Sequence, residues 1–184
     1  MKLWISRPAL AEITSLAQQY APLETGGVLL GWRKGPDRVV AAVVGPGPRA
    51  LHGRHMFLPD HAWQLTQIDL TFARTGGDLD YLGDWHTHPD GAAELSALDR
   101  TTLQKLGRRT VDAIMAIAAP TGEESWTLAA WWQPRGRWLD RPVAEDCHFV
   151  VFDPAPGSPD WMAMIGASNI EYGSKTDIDT PHPL

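Results

Sequence analysis

Two histidines separated by a single residue are the feature of this sequence with the clearest capacity for chemistry. The segment HTHP at 86–89 follows a predicted strand at 80–85. Because side chains alternate between the two faces of a strand, His86 and His88 should lie on one face and the residue between them on the other. Two imidazoles on one face form half of a zinc site. Pro89 interrupts strand pairing and lets the chain turn away, which suits a site at the mouth of a sheet.

The tetrapeptide SALD at 96–99 offers a third ligand. Ser96 is a good helix N-cap, and Asp99 occupies the third helical position, where the helix dipole favours a carboxylate. Taken alone, this pattern indicates only the start of a helix. Because this helix would begin shortly after HTHP, its first turn could direct Asp99 back toward the end of the strand. Two histidines and one carboxylate leave the fourth tetrahedral position open for water, which is typical of a catalytic zinc site rather than a structural one.

Apolar spacing and turn residues predict the elements that must position these side chains. We expect helices at 6–20, 60–74 and 96–106, and strands at 2–5, 26–32, 38–44, 55–58, 80–85, 111–119 and 125–132, with further strand candidates at 137–140 and 147–152. The stretch 45–53 is rich in Gly and Pro and should be a surface loop. In the second helix, Leu65, Ile68 and Phe72 are spaced for one side. The order of elements indicates a mixed α+β fold.

Composition limits the classes of protein to which the chain can belong. Its 184 residues are enough for one substantial core and few for two domains. A net charge of -6 and a pI near 5.6 argue against binding nucleic acid through bulk electrostatics. The start MKLWISRPALAE does not have the features of a signal peptide, and no apolar run approaches the roughly 18 residues of a membrane span. We therefore expect a soluble, cytoplasmic protein that does not bind membranes.

The single cysteine, Cys147, cannot form an internal disulfide and lies far from any CxxC pattern. His148 beside it would point to the opposite face of a strand. An ordinary packed cysteine is therefore the preferred interpretation over a nucleophile. We expect a solvated or structural role for three other histidines, His52, His55 and His61.

The spacing of the candidate ligands resembles that of a known family. HTHP, six further residues and SALD match the signature H-x-H-P-x6-S-x2-D of the JAMM metalloproteases of the JAB/MPN family. The segment ETGGVLLG, which begins at Glu24, is similar to the glutamate and hydrophobic strand that lie upstream in that family. The resemblance implies an α/β/α-type sandwich with a cytidine-deaminase-like mixed sheet flanked by helices. It also implies a single catalytic Zn²⁺.

The resemblance assigns a role to each matching position. His86, His88 and Asp99 would ligate the zinc. Glu24 would be the general base that takes a proton from water and returns it to the leaving amine. Ser96 would help to stabilise the oxyanion of the tetrahedral intermediate. No covalent intermediate with the enzyme is required.

The segments ETGGVLLGW and YLGDWHTHP are similar to those of the compact bacterial branch of the family. Members of that branch are found beside E1-like and E2-like proteins. They include deconjugating peptidases of antiphage signalling systems. This implies cleavage of a peptide or isopeptide bond after the C-terminal tail of a ubiquitin-like protein or of a conjugated signalling enzyme. The extended tail would add as a strand to an exposed sheet edge near the metal. The implied catalytic domain covers 1–140. The Pro-rich segment 141–184 would be a partly ordered extension packed on it, with 171–184 poorly ordered.

Two departures from the pattern leave the subfamily open. Relatives often carry a proline-rich turn where DGAAEL stands, and a glutamate in place of Asp84. Asp84 shares the predicted ligand face and is a candidate to support the ligands, whereas Trp85 should point into the core. One alternative is a JAMM peptidase that processes a sulfur-carrier protein by the same chemistry. Another is a catalytically silent MPN scaffold, against which the intact Glu24 argues.

Overall fold

The computed structural model describes residues 1–122, 125–134 and 143–165. The elements in chain order are β1 (Lys2–Ser6), α1 (Arg7–Tyr20), β2 (Gly26–Lys34), β3 (Asp37–Val44), β4 (Leu51–His52), β5 (Phe57–Leu58), α2 (His61–Arg74), β6 (Asp80–Thr87), α3 (Ala97–Gly107), β7 (Ile114–Pro120), β8 (Trp126–Trp132), β9 (Glu145–Asp146) and β10 (His148–Phe152). Eight strands form one mixed sheet in the order β10-β1-β3-β2-β6-β7-β8-β9, and β4 and β5 form a separate pair.

Helices cover both faces of the mixed sheet. On one face, α1 packs Ala9 and Ile13 into a core with Leu29 and Trp85. On the other face, α2 packs against a cluster from β2 and β3, and α3 packs Leu103 against β7 and β8. The predicted α+β class and sandwich architecture are therefore confirmed.

The central strands bring distant parts of the sequence together. The hairpin of β2 and β3 is antiparallel, as predicted, and β2 also pairs antiparallel with β6. In this register Gly26 lies opposite His86. Because β2 begins where β6 ends, Glu24 must lie beside the histidine segment. On its other edge β6 pairs in parallel with β7.

Glycines at the start of β2 allow this close packing. A Cβ on Gly26 would lie 2.4 Å from the carbonyl oxygen of Trp85, and one on Gly27 would lie 1.8 Å from that of Val44. Both distances are far shorter than any van der Waals contact. The GG pair therefore lets the chain that carries Glu24 approach β6 and β3 without a side chain between them.

The apolar residues that are spaced for one side of the second helix are only partly buried. In α2 the buried residues are Gln64, Gln67 and Thr71, whereas Leu65 is 47% and Phe72 is 49% exposed. Ile68 does pack against the core. Gln64 is buried because it makes a polar contact: its side-chain amide donates a hydrogen bond to the carbonyl oxygen of Gly45, 2.9 Å away, in the chain after β3. The buried carbonyl group beneath the helix needs a hydrogen-bond donor, which a glutamine side chain provides and a leucine does not.

Several boundaries also differ from the predictions. The stretch predicted as a loop at 45–53 supplies β4, which pairs with β5, and β6 continues two residues beyond its predicted end to Thr87. The segment 148–152 forms an edge strand that pairs in parallel with β1, and β9 pairs with β8 at the opposite edge. The predictions for 137–140 and 171–184 lie outside the described residues. Among the residues described, no helix is long and apolar enough to cross a membrane.

Candidate metal centre

Three predicted ligands converge at the end of β6. His86 is the penultimate residue of the strand, His88 follows it, and Asp99 lies in the first turn of α3. The two histidine Nε2 atoms are 3.1 Å apart. Asp99 Oδ1 lies 3.3 Å from Nε2 of His86, and Asp99 Oδ2 lies 3.4 Å from Nε2 of His88.

These separations fit a tetrahedral metal ion. Zinc bonds to nitrogen and oxygen are about 2.0–2.2 Å long, so ligand atoms around a tetrahedral ion lie roughly 3.3–3.6 Å apart. The three candidate atoms all lie within 4.8 Å of one another. Two imidazoles and one carboxylate are a donor set that divalent zinc accepts, and they leave one position open. The residues present therefore fit a bound metal ion.

Hydrogen bonds outside the centre orient its ligands. Nδ1 of His88 lies 3.1 Å from the carbonyl oxygen of Ala92, to which it can only donate, so in the neutral ring the proton is on Nδ1 and the bare Nε2 faces the centre. The carboxylate of Asp99 accepts the backbone N–H of Ser96 at 2.8 Å, and Ser96 Oγ accepts the backbone N–H of Asp99 at 3.2 Å. This reciprocal capping box fixes Asp99 at the start of α3, as the sequence predicts.

The electrostatics of the centre favour a charged carboxylate. Partial burial would raise the pKa of Asp99, but hydrogen bonds from His86, His88 and Ser96 outweigh it and hold that pKa well below its usual range. The hydrogen bond to Asp99 in turn raises the pKa of His88 above that of a free imidazole. Without a metal ion, Asp99 and a protonated His88 therefore stabilise one another's charged forms.

Glu24 lies beside the three ligands, in the connection between α1 and β2. Its pKa is raised because burial disfavours the carboxylate, and this outweighs attraction by His86 and His88. Its neighbour Thr25 donates its backbone N–H to Oγ1 of Thr87 at 2.9 Å and accepts the N–H of Thr87 at 2.8 Å. Glu24 is thus attached to the end of β6, and its raised pKa means that its carboxylate holds a proton more readily than that of a free glutamate.

Trp85 lies in the core and Asp84 lies on the side of His86, as predicted, although the hydrogen-bond partner of Asp84 is Tyr81 rather than a candidate ligand. Trp85 is 1% exposed, and its indole N–H donates to the carbonyl oxygen of Val44 at 3.3 Å. Asp84 lines the same cavity as His86 and accepts a hydrogen bond from the hydroxyl of Tyr81 at 2.7 Å. Burial raises the pKa of Asp84.

A cavity of about 940 Å³ opens over the centre. Its polar floor contains Glu24, Ser96 and the three ligands. Its apolar wall comes from β5, α2, α3 and the residues near them, namely Met56, Leu58, Leu65, Ile68, Leu98 and Leu106. Sequence reasoning placed Leu65 and Ile68 on one side of the second helix, but nothing in their spacing indicated that this side lines a cavity. His55 and His61, predicted as solvated or structural, also line the cavity.

A mixed sheet flanked by helices, with a His-His-Asp cluster that could hold a metal ion, points to the metallopeptidases of the JAB class. The family model described as prokaryotic homologs of the JAB domain matches residues 6–131, and the chain belongs to this family. The resemblance to JAMM proteins and the classification as a metallopeptidase are thereby confirmed.

Individual relatives agree with this classification. The chain is 31% identical over 135 residues to a protein of Sinorhizobium fredii named "Probable metalloprotease y4qB", which covers 70% of this chain and 82% of that protein. It is 35% identical over 77 residues to a Vibrio cholerae protein named "CD-NTase/cGAS isopeptidase", with 42% and 49% covered. An Enterobacter hormaechei protein of the same name is 28% identical over 146 residues, with 76% and 77% covered.

A solved structure shares the fold. The solution structure of protein DSY2949 from Desulfitobacterium hafniense aligns with a TM-score of 0.64, covering 83% of this chain and 94% of that one. The two sequences are 20% identical, so this likeness concerns the fold alone.

Proposed function

We propose that the protein is a zinc-dependent peptidase or isopeptidase that cleaves after the C-terminal tail of a ubiquitin-like protein or of a conjugated signalling enzyme, in a bacterial antiphage conjugation system. The observation that carries the chemistry is the convergence of His86, His88 and Asp99 beside Glu24 in one cavity. The names of the Vibrio cholerae and Enterobacter hormaechei relatives support the substrate class. E1-like and E2-like proteins would be the functional partners.

In this proposal the protein's own side chains handle the proton and the developing charge. A zinc ion held by His86, His88 and Asp99 would lower the pKa of water and polarise the scissile carbonyl. Glu24 takes a proton from the attacking water and returns it to the leaving amine, and its raised pKa suits both steps. The hydroxyl of Ser96 donates a hydrogen bond to the oxyanion of the tetrahedral intermediate.

The substrate tail would lie in the cavity as an extended chain. Both edges of β6 are occupied, by β2 and by β7, so the main sheet offers no free edge at the metal centre. The short sheet of β4 and β5 offers an edge beside the centre, because Phe57 and Leu58 of β5 line the cavity. A strand added there would place alternate side chains against the apolar wall. This refines the predicted strand addition to one location.

The test combines metal analysis with cleavage. The substrate is a fusion that carries the C-terminal tail of a ubiquitin-like or signalling protein encoded near this one. We expect one zinc per chain in both the wild type and Glu24→Gln, with kcat reduced about 10²–10⁴-fold in the variant and abolished in the wild type by a chelator. Absence of zinc from folded protein, or equal rates in the two proteins, would contradict the proposal.

A further inference from the structure

Both main-chain polar groups of Glu24 are bound by one short segment of the chain, at the end of β4. The backbone N–H of Glu24 donates to the carbonyl oxygen of Gly53 at 2.8 Å. Nδ1 of His52 lies 2.9 Å from the carbonyl oxygen of Glu24. Two hydrogen bonds from adjacent residues therefore fix the peptide groups on either side of the Glu24 Cα atom.

The ring of His52 itself contacts two aromatic rings. Tyr20, the last residue of α1, stacks on it with ring centroids 4.0 Å apart and an angle of 14° between the planes. Phe57 of β5 contacts it at 5.5 Å and 37°. A half-buried imidazole packed in this way has little rotational freedom, so the direction of its Nδ1 is set before any substrate arrives.

Such support matters because Glu24 belongs to no helix or strand. It lies between the end of α1 and the start of β2, and connecting segments are more mobile than the elements they join. The hydrogen bonds between Thr25 and Thr87 hold the chain after Glu24. The hydrogen bonds to His52 and Gly53 hold the residue itself. Together they fix the direction of its Cα–Cβ bond and thus the location of its carboxylate.

We propose that His52 is a positioning residue, which acts through the backbone of Glu24 to hold the general base against the metal centre. This inference rests on the proposed function, because it takes Glu24 as the base. His52 does not line the cavity and takes no part in proton transfer. Its role requires that Nδ1 carry the proton, since a carbonyl oxygen can only accept a hydrogen bond.

The expected effect is on turnover rather than on binding. A misplacement of a catalytic group by about 1 Å can cost on the order of 10²-fold in rate. Loss of one of two backbone hydrogen bonds should displace Glu24 less than that, so we expect kcat to fall roughly 10–100-fold in His52→Phe, with KM and zinc content unchanged. Phenylalanine keeps the stacking on Tyr20 and removes only the donor.

Three further proteins complete the design. His52→Asn carries an amide N–H close to the position of Nδ1 and should recover most of the lost kcat. Arg54→Ala is the matched control on the same segment: Arg54 forms an exposed ion pair with Asp90 at 3.1 Å and does not contact Glu24, so its kcat should stay at the wild-type level. Glu24→Gln, measured in the same assay, tests the proposed function separately.

A readout that does not depend on catalysis is the tautomer of His52 in the metal-loaded wild type, from the nitrogen chemical shifts of its ring. We expect Nδ1 to be protonated and Nε2 to be bare. The inverse tautomer, or wild-type kcat in His52→Phe, would overturn the positioning role even if Glu24→Gln is inactive. If Glu24→Gln is fully active, the proposed base is wrong and the role of His52 falls with it, whatever its tautomer.

Discussion

Replacing Ser96 should damage stability and catalysis by two separate routes. In the structure its Oγ accepts the backbone N–H of Asp99 at 3.2 Å, which caps α3. A hydroxyl that accepts in this way still has its own hydrogen to donate, and Ser96 lines the cavity over the metal centre. Ser96→Ala removes both the capping oxygen and the donor.

The two losses have different sizes. Loss of a serine N-cap costs about 1 kcal/mol, which in a chain of this length lowers Tm by roughly 2–4 °C. Loss of one oxyanion donor costs about 10²–10³-fold in kcat. Ser96→Gly separates the two effects because glycine is a tolerable N-cap, with a penalty of only a few tenths of a kcal/mol, yet it has no hydroxyl. Ser96→Thr keeps the cap and the donor.

Thermal unfolding should be followed on metal-free protein, because bound zinc would add its own stabilisation. We expect Tm in the order Ser96→Thr close to wild type, then Ser96→Gly, then Ser96→Ala, whereas kcat should be low in both Ser96→Gly and Ser96→Ala. Wild-type kcat in Ser96→Gly would refute the oxyanion role. An unchanged Tm in Ser96→Ala would refute the capping role.

Three further predictions concern stability, metal binding and the lone thiol. Gly83→Ala should destabilise by roughly 1–3 kcal/mol or more in urea unfolding, because Gly83 has φ +156° and its Cβ would lie 2.0 Å from a carbonyl oxygen of β7. Gly35 also has a positive φ, of +58°, but no atom lies within 4 Å of its added Cβ. Gly35→Ala should therefore lose less stability than Gly83→Ala, and equal losses would contradict this reasoning. The hydrogen bond to Asp99 raises the pKa of His88, and only the unprotonated ring binds metal, so zinc affinity should be full above that raised pKa and fall as the pH drops through it. A chelator competition that gave constant affinity from about pH 8 to pH 5 would be evidence against this coupling. Burial raises the pKa of Cys147 to about 12, so cleavage should survive iodoacetamide at about pH 7.5, and rapid inactivation would reopen the thiol mechanism.

Local spacing was enough to predict that the three candidate ligands lie together. Strand alternation placed His86 and His88 together, and the capping pattern placed Asp99 in the first turn of a helix. Both are short-range rules that act within a few residues, so tertiary packing had little room to override them. The same alternation correctly placed Trp85 in the core.

Contacts between distant segments were beyond such rules. The apolar residues of α2 show helical spacing, but the carbonyl group of Gly45 beneath the helix required Gln64, and this turned Leu65 toward the cavity. The role of His52 depends on a hydrogen bond to Glu24, 28 positions away, and on a ring from α1. No periodic pattern in the sequence predicts either contact, because each one depends on how distant segments pack together in the folded protein.

The pairing of β1 with β10 has a consequence for biosynthesis. β1 comprises residues 2–6, and the strand that covers its outer edge comprises residues 148–152. At 5–20 residues per second, a ribosome needs roughly 7–30 s to make the chain between them. During that interval the backbone of β1 presents unpaired N–H and C=O groups, which can template aggregation with other nascent chains. A chain cut before β10 would keep every residue of the metal centre. We expect such a chain to lose solubility rather than the residues needed for catalysis.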